Sequence, residues 1–230
     1  MKAEISLLKR KDEVLKMTEY KALFTIAYLP PVQYLAHMIA SGGAIIEKHD
    51  NYIKQTYRNR CDILGANGAM SLTVPVAKGR RLKVKTKDLE ISYDERWQAL
   101  HWRSIVSAYN SSPFFEYYMS DFEPFYSKKF RWLFDFNMEL LSLILNSLDV
   151  DICIETTAEY ISKDRPYIYD YREIIHPKKA FDKEDPDFKI LKYRQVFNER
   201  FAFVPNLSVI DLMFNKGPEA IDYLEDSSLL

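Results

Sequence analysis

The sequence predicts an α/β protein. We expect a single domain with an N-terminal βαβ unit in a mainly parallel sheet and several helices in the central and C-terminal parts. Three observations predict this class: two short apolar runs flank a helical pattern near the start, helical spacing dominates the middle, and another apolar run follows the longest helical pattern. The 230 residues are enough for one large core, and no second domain boundary is marked.

The βαβ unit is predicted from two changes of periodicity. Leu23 to Tyr28 is a short apolar run that ends at two prolines, as a buried strand does before a turn. Val32 to Ala40 has apolar residues at helical spacing and stops at Ser41 and two glycines, and residues 44–46 form the second apolar run. We expect the two strands to be parallel and their connection to be right-handed.

The middle of the chain is predicted to add short strands and a helix. Ser71 to Val76 alternates apolar and polar residues, which is typical of a half-buried strand that ends near a proline. From Arg81 to Lys87 cations alternate with other residues, which indicates either an edge strand protected by lysines or a basic surface that steers an anion. Leu89 to Ser92 is a further short strand, and from Tyr93 the periodicity becomes helical.

The C-terminal half is predicted to be mainly helical. Ser112, followed by a proline, predicts a helix start, and Phe130 to Leu148 has the strongest helical period of the chain. Asp151 to Glu155 is another strand, and the aromatic, charged segment from Tyr160 to Asp187 suits a lid or a homo-oligomer contact. Ser208, with an acidic residue three positions later, predicts a capped helix.

Composition excludes several kinds of function. The 32 basic and 33 acidic side chains nearly cancel, so there is no global field to attract nucleic acid or a membrane surface, and nucleic-acid binding is disfavoured. No apolar run reaches the ~20 residues of a membrane helix. Cys61 and Cys153 are predicted to be buried free thiols, which suits a reducing cytoplasm.

The same inspection marks no metal site and no cofactor. The cysteines and histidines form no cluster with metal-ligand spacing, so no metal is expected, and the sequence leaves the cofactor unknown. Residues 1–19 are charged and loosely patterned, and we interpret them as an N-terminal extension before a domain that spans 20–230.

Two candidate ligand-binding side chains follow from the βαβ unit. In open α/β sheets ligands collect at the carboxyl ends of the strands, and Gln33 and Asp50 lie just after the two predicted strands. We therefore expect both to face one crevice. The alternative is that they cap and brace the local turns, because such side chains often serve local hydrogen bonding.

A dense run of cations and amides follows the second predicted strand. Lys54, Asn59 and Arg60 are the candidates here for holding a phosphate or a carboxylate, with support from Arg80 or Arg81 in the later basic segment. An anionic small molecule is therefore the predicted ligand.

Two polar residues fall on apolar helical stripes. His101 is either a satisfied core histidine or, like Asp50, a catalytic base that deprotonates an attacking amine. Asn137 either pins a neighbouring backbone or reaches a ligand, since a buried amide needs a hydrogen-bond partner. We favour pinning.

Several short blocks stand in a defined order between Tyr20 and Pro218. They are Tyr28 to Pro30 with Gln33 and Tyr34, then Asp50, Lys54, Asn59 and Arg60, then Leu72 to Val76, then Ala108, Tyr109 and Pro113 to Phe115, and finally Asn206 to Gly217. In their order and spacing these blocks resemble the WbqC-like family of bacterial proteins. The chain departs from that family at Ala27 to Pro31, where relatives carry a Gln-Pro before an aromatic-Pro pair.

The resemblance implies a WbqC-like domain over 20–230 and an association with O-antigen and other surface-polysaccharide clusters. It also implies a transferase that moves an aminoacyl (glycyl) or acyl group to an amino sugar carried on a nucleotide, with a nucleotide sugar as its small-molecule partner. The alternatives are a non-enzymatic binding or assembly protein that uses an aromatic surface, and a nucleotide-binding protein of unknown activity.

Overall fold

The computed structural model describes residues 21–77, 83–162 and 168–229. The strands are β1 Lys21–Thr25, β2 Gly43–Glu47, β3 Arg60–Gly65, β4 Gly68–Thr73, β5 Cys153–Thr156 and β6 Ile168–Asp170. The helices are α1 Val32–Ala40, α2 Trp97–Tyr109, α3 Phe115–Phe122, α4 Leu133–Ser147, α5 Phe181–Glu184, α6 Val209–Lys216 and α7 Ala220–Asp226.

A four-stranded parallel sheet confirms the predicted fold class. Its strand order is β5-β2-β1-β6, so the two strands of the βαβ unit lie in the centre. Leu23 of β1 is opposite Ile45 of β2 on one side and Asp170 of β6 on the other. The central strands have neighbours on both sides and are covered by helices. This burial explains why their sequences are continuous apolar runs and do not alternate between apolar and polar residues.

A hairpin of β3 and β4 lies beside this sheet and packs against α2. The pair is antiparallel, with Arg60 opposite Thr73, and the turn ends at Gly68, which has a φ of 107°. The strand predicted at Ser71 to Val76 therefore begins and ends three residues earlier, although Leu72 is buried as its alternation requires.

The predicted strands between the hairpin and α2 are not formed. Residues 83–85 are irregular, and Thr86–Asp88 is a turn of 3₁₀-helix because the Thr86 side chain and amide bond to Asp50. Residues 89–92 make only isolated bridges, through Glu90 and Ile91. Residues 81 and 82 of the predicted basic strand lie outside the described residues.

The longest helix, α4, is confirmed, and so is the predicted role of Asn137. Its side chain is fully buried and its Nδ2 donates to the main-chain oxygen of Arg58 at 2.7 Å. The predicted start of α3 is wrong: the helix begins at Phe115, because Ser112 Oγ donates back to the carbonyl of Tyr109 at 2.7 Å.

Two further expectations are corrected. Ser208 precedes α6, but its Oγ makes no capping hydrogen bond, and the Asp211 carboxylate accepts hydrogen bonds from Tyr193 and Gln195 instead of turning back to the helix start. Burial raises the pKa of Asp211 despite these bonds. Cys61 is buried as predicted, whereas Cys153 is exposed because it lies on the edge strand β5.

The described parts of the chain contain neither a membrane-spanning helix nor a group of metal ligands. None of their helices combines the length and the apolar character that a membrane span needs. Among the same residues, no three His, Cys, Asp or Glu side chains are grouped so as to hold a metal ion.

We predict that Gly217→Ala lowers the free energy of unfolding by about 3 kcal/mol. Gly217 ends α6 with a φ of 58°, and a Cβ there would lie 2.4 Å from the Phe114 ring. Gly42→Ala is the matched control, because its φ is 63° but no described atom lies within 4 Å of an added Cβ. It should cost only about 1 kcal/mol of backbone strain. Urea unfolding followed by circular dichroism measures both, and equal losses would contradict the packing argument.

Candidate functional site

The candidate site is a cleft of ≈ 420 Å³ at the carboxyl ends of β2 and β6, which we call the sheet-edge cleft. This is the edge at which open α/β sheets bind ligands. A second cavity, between the β3–β4 turn and α2, has Arg103 as its one charged lining residue among those described, so it lacks converging charges.

The sheet-edge cleft has a buried floor and an exposed rim. The floor consists of Asp50, Thr56, Arg58 and Arg172. The rim consists of Asn51, Ile53, Tyr160, Glu173 and Lys179, and His176 is half-buried between the floor and the rim.

Asp50 and Arg58 form a buried ion pair in the floor. Arg58 Nη2 donates to Asp50 Oδ2, and Thr86 Oγ1 donates to Asp50 Oδ1. Arg58 Nη1 also donates to Thr56 Oγ1 at 3.3 Å, while Nε is buried and has no partner among the described residues. The guanidinium is thus fixed in direction, and only two of the five N–H groups that an arginine carries are used.

Arg172 is held just as firmly at the end of β6. Its Nε and Nη2 donate to the two carboxylate oxygens of Asp170 at 2.8 and 2.6 Å, and its Nη1 donates to Ile161 O at 2.7 Å. Glu47, which is fully buried at the end of β2, accepts a longer contact of 3.5 Å from the same Nη1. Arg172 is therefore paired with two carboxylates and serves mainly to join the strand ends.

The rim places an aromatic and an aliphatic side chain at the mouth of the cleft. Tyr160 is 50% exposed and Ile53 is 53% exposed. The Arg172 guanidinium lies 5.3 Å from the centre of the Tyr160 ring, which is a cation–π distance. Because Arg172 is itself fixed, it positions a ring of which half remains open to a ligand.

His176 lines the cleft, and one of its two ring nitrogens is already occupied. Its Nδ1 accepts the main-chain N–H of Lys178 at 3.1 Å, so a neutral ring carries its proton on Nε2. Partial burial lowers the pKa of His176, and the positive charges of Lys179, Lys178 and Arg58 lower it further, against an opposing effect of Glu173. The ring is neutral at pH 7 and lies in a region of positive potential.

Of the residues predicted from the sequence, the structure places Asp50 in the sheet-edge cleft. Lys54 is exposed and does not line it. Asn59 is buried behind the hairpin, where its Nδ2 donates to Val74 O at 2.8 Å. Arg60 lies at the start of β3 and donates to Asp62 Oδ1 at 3.1 and 3.2 Å.

The other predicted residues lie elsewhere. Gln33 is buried, and its Nε2 donates to Asp185 at 2.5 Å while its Oε1 accepts from Asn206 at 3.1 Å, so it does not share a crevice with Asp50. His101 is buried in the core with its Nδ1 2.9 Å from Tyr28 Oη, and burial lowers its pKa to about 4. Arg80 and Arg81 lie outside the described residues.

Sequence reasoning missed most of the cleft. Arg58 stands within the polar run that was singled out, but its position gave no reason to prefer it over its neighbours. Arg172 and His176 follow β6, a three-residue strand with too little apolar pattern to be recognised. Had β6 been found, the rule that ligands bind at the carboxyl ends of parallel strands would have indicated both.

The fold and the cleft define an α/β protein with a ligand-sized, charged concavity at the carboxyl edge of a parallel sheet. The family to which it belongs follows from the sequence comparison. The model of the WbqC-like protein family matches residues 27–176 and 172–223. The chain is therefore a member of the WbqC-like protein family. The first matched part contains every residue that lines the cleft except Lys179, and the second part contains Lys179.

One curated protein is similar to this chain. The uncharacterized protein Rv1507c of Mycobacterium tuberculosis is 27% identical to this chain over an alignment of 224 residues, and the alignment covers 86% of this chain and 94% of the relative. Comparison with solved structures found no significant match.

We predict that Asp50→Ala lowers the free energy of unfolding by about 3 to 5 kcal/mol, because it leaves the buried Arg58 charge without its carboxylate. Arg58→Met should cost a similar amount. The double variant should recover part of the loss, since removing both charges leaves neither one uncompensated. Urea unfolding of the four proteins measures the coupling. Additive losses would mean that the pair does not act as a unit.

His101 should make stability depend on pH. Its pKa of about 4 in the folded chain is below the ~6.5 of an exposed histidine, so the unfolded chain binds a proton first as pH falls. The stabilisation is complete above about pH 6.5 and is lost toward pH 4, at about 1.4 kcal/mol per pH unit. His101→Asn keeps a polar atom near the position of Nδ1. In this variant the free energy of unfolding should change less steeply with pH between about pH 6.5 and pH 4, by the contribution of one proton. Urea unfolding at several pH values tests this, and identical slopes would contradict it.

Proposed function

We propose that the protein is a transferase of bacterial surface-polysaccharide biosynthesis that binds a phosphate-bearing, activated amino sugar in the sheet-edge cleft. One observation carries the proposal: Arg58, Arg172, Lys179 and a neutral His176 converge on a single concavity at the ligand-binding edge of a parallel sheet. Membership of the WbqC-like family supports it, because aminoacyl transfer to an amino sugar is the activity that the resemblance to that family implies.

The proposed reaction is acyl transfer to an amine. The amine of the sugar attacks the carbonyl carbon of an activated aminoacyl ester or thioester, and a C–N bond forms. The bond from that carbon to the oxygen or sulfur of the donor breaks, and the donor leaves as the alcohol or thiol after taking up a proton. The attacking nitrogen loses one proton, so a proton acceptor near the cleft is needed.

The floor of the cleft supports anion binding better than proton abstraction. Both oxygens of Asp50 already accept hydrogen bonds, one from Arg58 and one from Thr86. Asp50 therefore holds the Arg58 guanidinium in place, and the remaining N–H groups of Arg58 can donate to a phosphate or a carboxylate. Of the two bases predicted from the sequence, Asp50 lies at the cleft and His101 lies in the core.

A cytoplasmic location is part of the proposal. Cys61 and Cys153 are free thiols, and Cys153 is exposed, which suits a reducing compartment.

The test is a search for the reaction product. Purified protein is incubated with small-molecule extracts of the source bacterium, and with defined nucleotide-linked amino sugars and activated glycine donors. We expect a new species whose mass exceeds that of the amino sugar nucleotide by one glycyl or acyl residue, and its formation should require the protein. The matched control is Arg58→Met, if urea unfolding shows it to be folded. A product formed at equal rates without the protein, or none with any donor, would contradict the proposal.

A second candidate function is a binding or assembly protein. It is favoured by the exposure of Tyr160 and Tyr169, 50% and 48%, in a segment that also supplies β6. Light scattering on the wild type and on Tyr169→Ser distinguishes it. A complex or oligomer that Tyr169→Ser dissolves would favour assembly, whereas a monomer with a small molecule bound would favour the transferase.

A further inference from the structure

We propose that the sheet-edge cleft contains a nucleoside diphosphate subsite in which His176 Nε2–H and Lys179 bind the phosphoryl oxygens, with Arg58 beneath them, and Tyr160 stacks on the base. This inference rests on the proposed function, which it deepens by naming the part of the substrate that each residue holds. None of its four residues was a candidate from the sequence, although Asp50, which was one, is the ion-pair partner of Arg58.

The first step concerns the direction of the donors. The Lys178 N–H occupies Nδ1 of His176, so the neutral ring offers its Nε2–H to a ligand rather than accepting a proton there. Lys179 lines the same cleft, and its amine is 3.7 Å from Glu184, an exposed and weak ion pair that a phosphate can replace. His176 and Lys179 are three residues apart and line the same cleft, so both can donate to one ligand.

The second step concerns charge. His176 faces Lys178, Lys179 and Arg58 on the positive side and Glu173 on the negative side, and Asp50 is already paired with Arg58. Partial burial lowers the pKa of His176, and Lys179, Lys178 and Arg58 lower it further. An anion placed there reverses this effect, because it stabilises the protonated imidazole.

The third step concerns Arg58. Its guanidinium is fixed by Asp50 and Thr56, so its position does not depend on the ligand. Asn137 in α4 fixes the same residue through its main-chain oxygen at 2.7 Å. A cation held at both its backbone and its side chain is preorganised, which lowers the entropy cost of binding a phosphate.

The fourth step concerns the aromatic wall. Tyr160 is half exposed and lines the cleft. The Arg172 guanidinium lies 5.3 Å from the centre of the Tyr160 ring and helps to hold the ring in place. Ile53 is similarly exposed on the rim. A base that stacks on an aromatic side chain gains ~1–3 kcal/mol, with little preference among bases. A volume of ≈ 420 Å³ is within the range of small-molecule sites, about 300–1,000 Å³.

The test is calorimetric titration of the full chain with UDP, ADP, uridine and inorganic pyrophosphate. We expect both diphosphates to bind, and uridine and pyrophosphate each to bind about tenfold more weakly, because each retains only half of the contacts. His176→Ala and Lys179→Ala should each weaken UDP binding about tenfold, as the loss of a charge-assisted or oriented donor does. His176→Gln, which retains a donor near Nε2, should restore most of it.

Matched controls separate the subsite from general charge effects. Lys189→Ala removes an exposed lysine outside the cleft and should leave the affinity unchanged. Tyr160→Ala should weaken UDP but not pyrophosphate, and Tyr160→Phe should behave as the wild type. Equal effects of Lys179→Ala and Lys189→Ala, or the absence of saturable binding of either diphosphate, would overturn the subsite. Pyrophosphate binding as tight as UDP binding would overturn the assignment of Tyr160.

Protonation supplies an independent readout. The His176 ring signal, assigned by its loss in His176→Gln, should titrate at higher pH when UDP is bound. By linkage, UDP affinity should rise as pH falls through the interval between the bound and free values. A His176 titration that UDP does not move would overturn the contact.

The outcomes distinguish the two proposals. UDP binding with these variant effects, but with no acylated product, would leave the subsite standing and remove the transferase. Product formation that UDP does not inhibit, with Lys179→Ala fully active, would leave the transferase standing and remove the subsite.

Discussion

The architecture of the cleft depends on the buried carboxylate of Glu47. It is fully buried at the end of β2, and it accepts hydrogen bonds from His49 N, Thr157 Oγ1 and Ile161 N at 2.7 to 2.9 Å, besides the contact with Arg172. One side chain thereby joins the end of a central strand to the loop after β5 and to the end of β6. Removing one partner of a buried ion pair costs ~3–5 kcal/mol. Loss of the Glu47 carboxylate would therefore destabilise all of the segments that it joins.

The elements that could be predicted are those in which neighbours along the chain determine the structure. Val32–Ala40 is helical as its spacing predicts, and β1 and β2 are parallel because the helix between them carries the chain back along the sheet before β2 begins. Asn137 was correctly expected to pin a backbone, since an amide in the middle of an apolar stripe must find a partner inside the core.

What could not be predicted depends on contacts between residues far apart in the sequence. Arg172 and Glu47 are 125 positions apart, and Gln33 and Asp185 are 152 apart, so no local pattern indicates either contact. Asp211 looked like half of a capping box, but Tyr193 and Gln195 bind its carboxylate instead. The polar run after β2 likewise contributes Ile53, Thr56 and Arg58 to the cleft, and not Lys54, Asn59 or Arg60, which were the candidates from the sequence.

The separation of a buried floor from an exposed rim has a consequence for divergence among relatives. Arg58 is held by Asp50 and by Asn137 of the core, so a change at any of the three carries a stability penalty. Tyr160 and Lys179 are exposed, and substitutions at such positions usually alter stability by no more than ~0.5 kcal/mol. A change of ligand in chains of this design therefore costs least stability when the substitutions fall on the rim and the buried floor keeps its side chains.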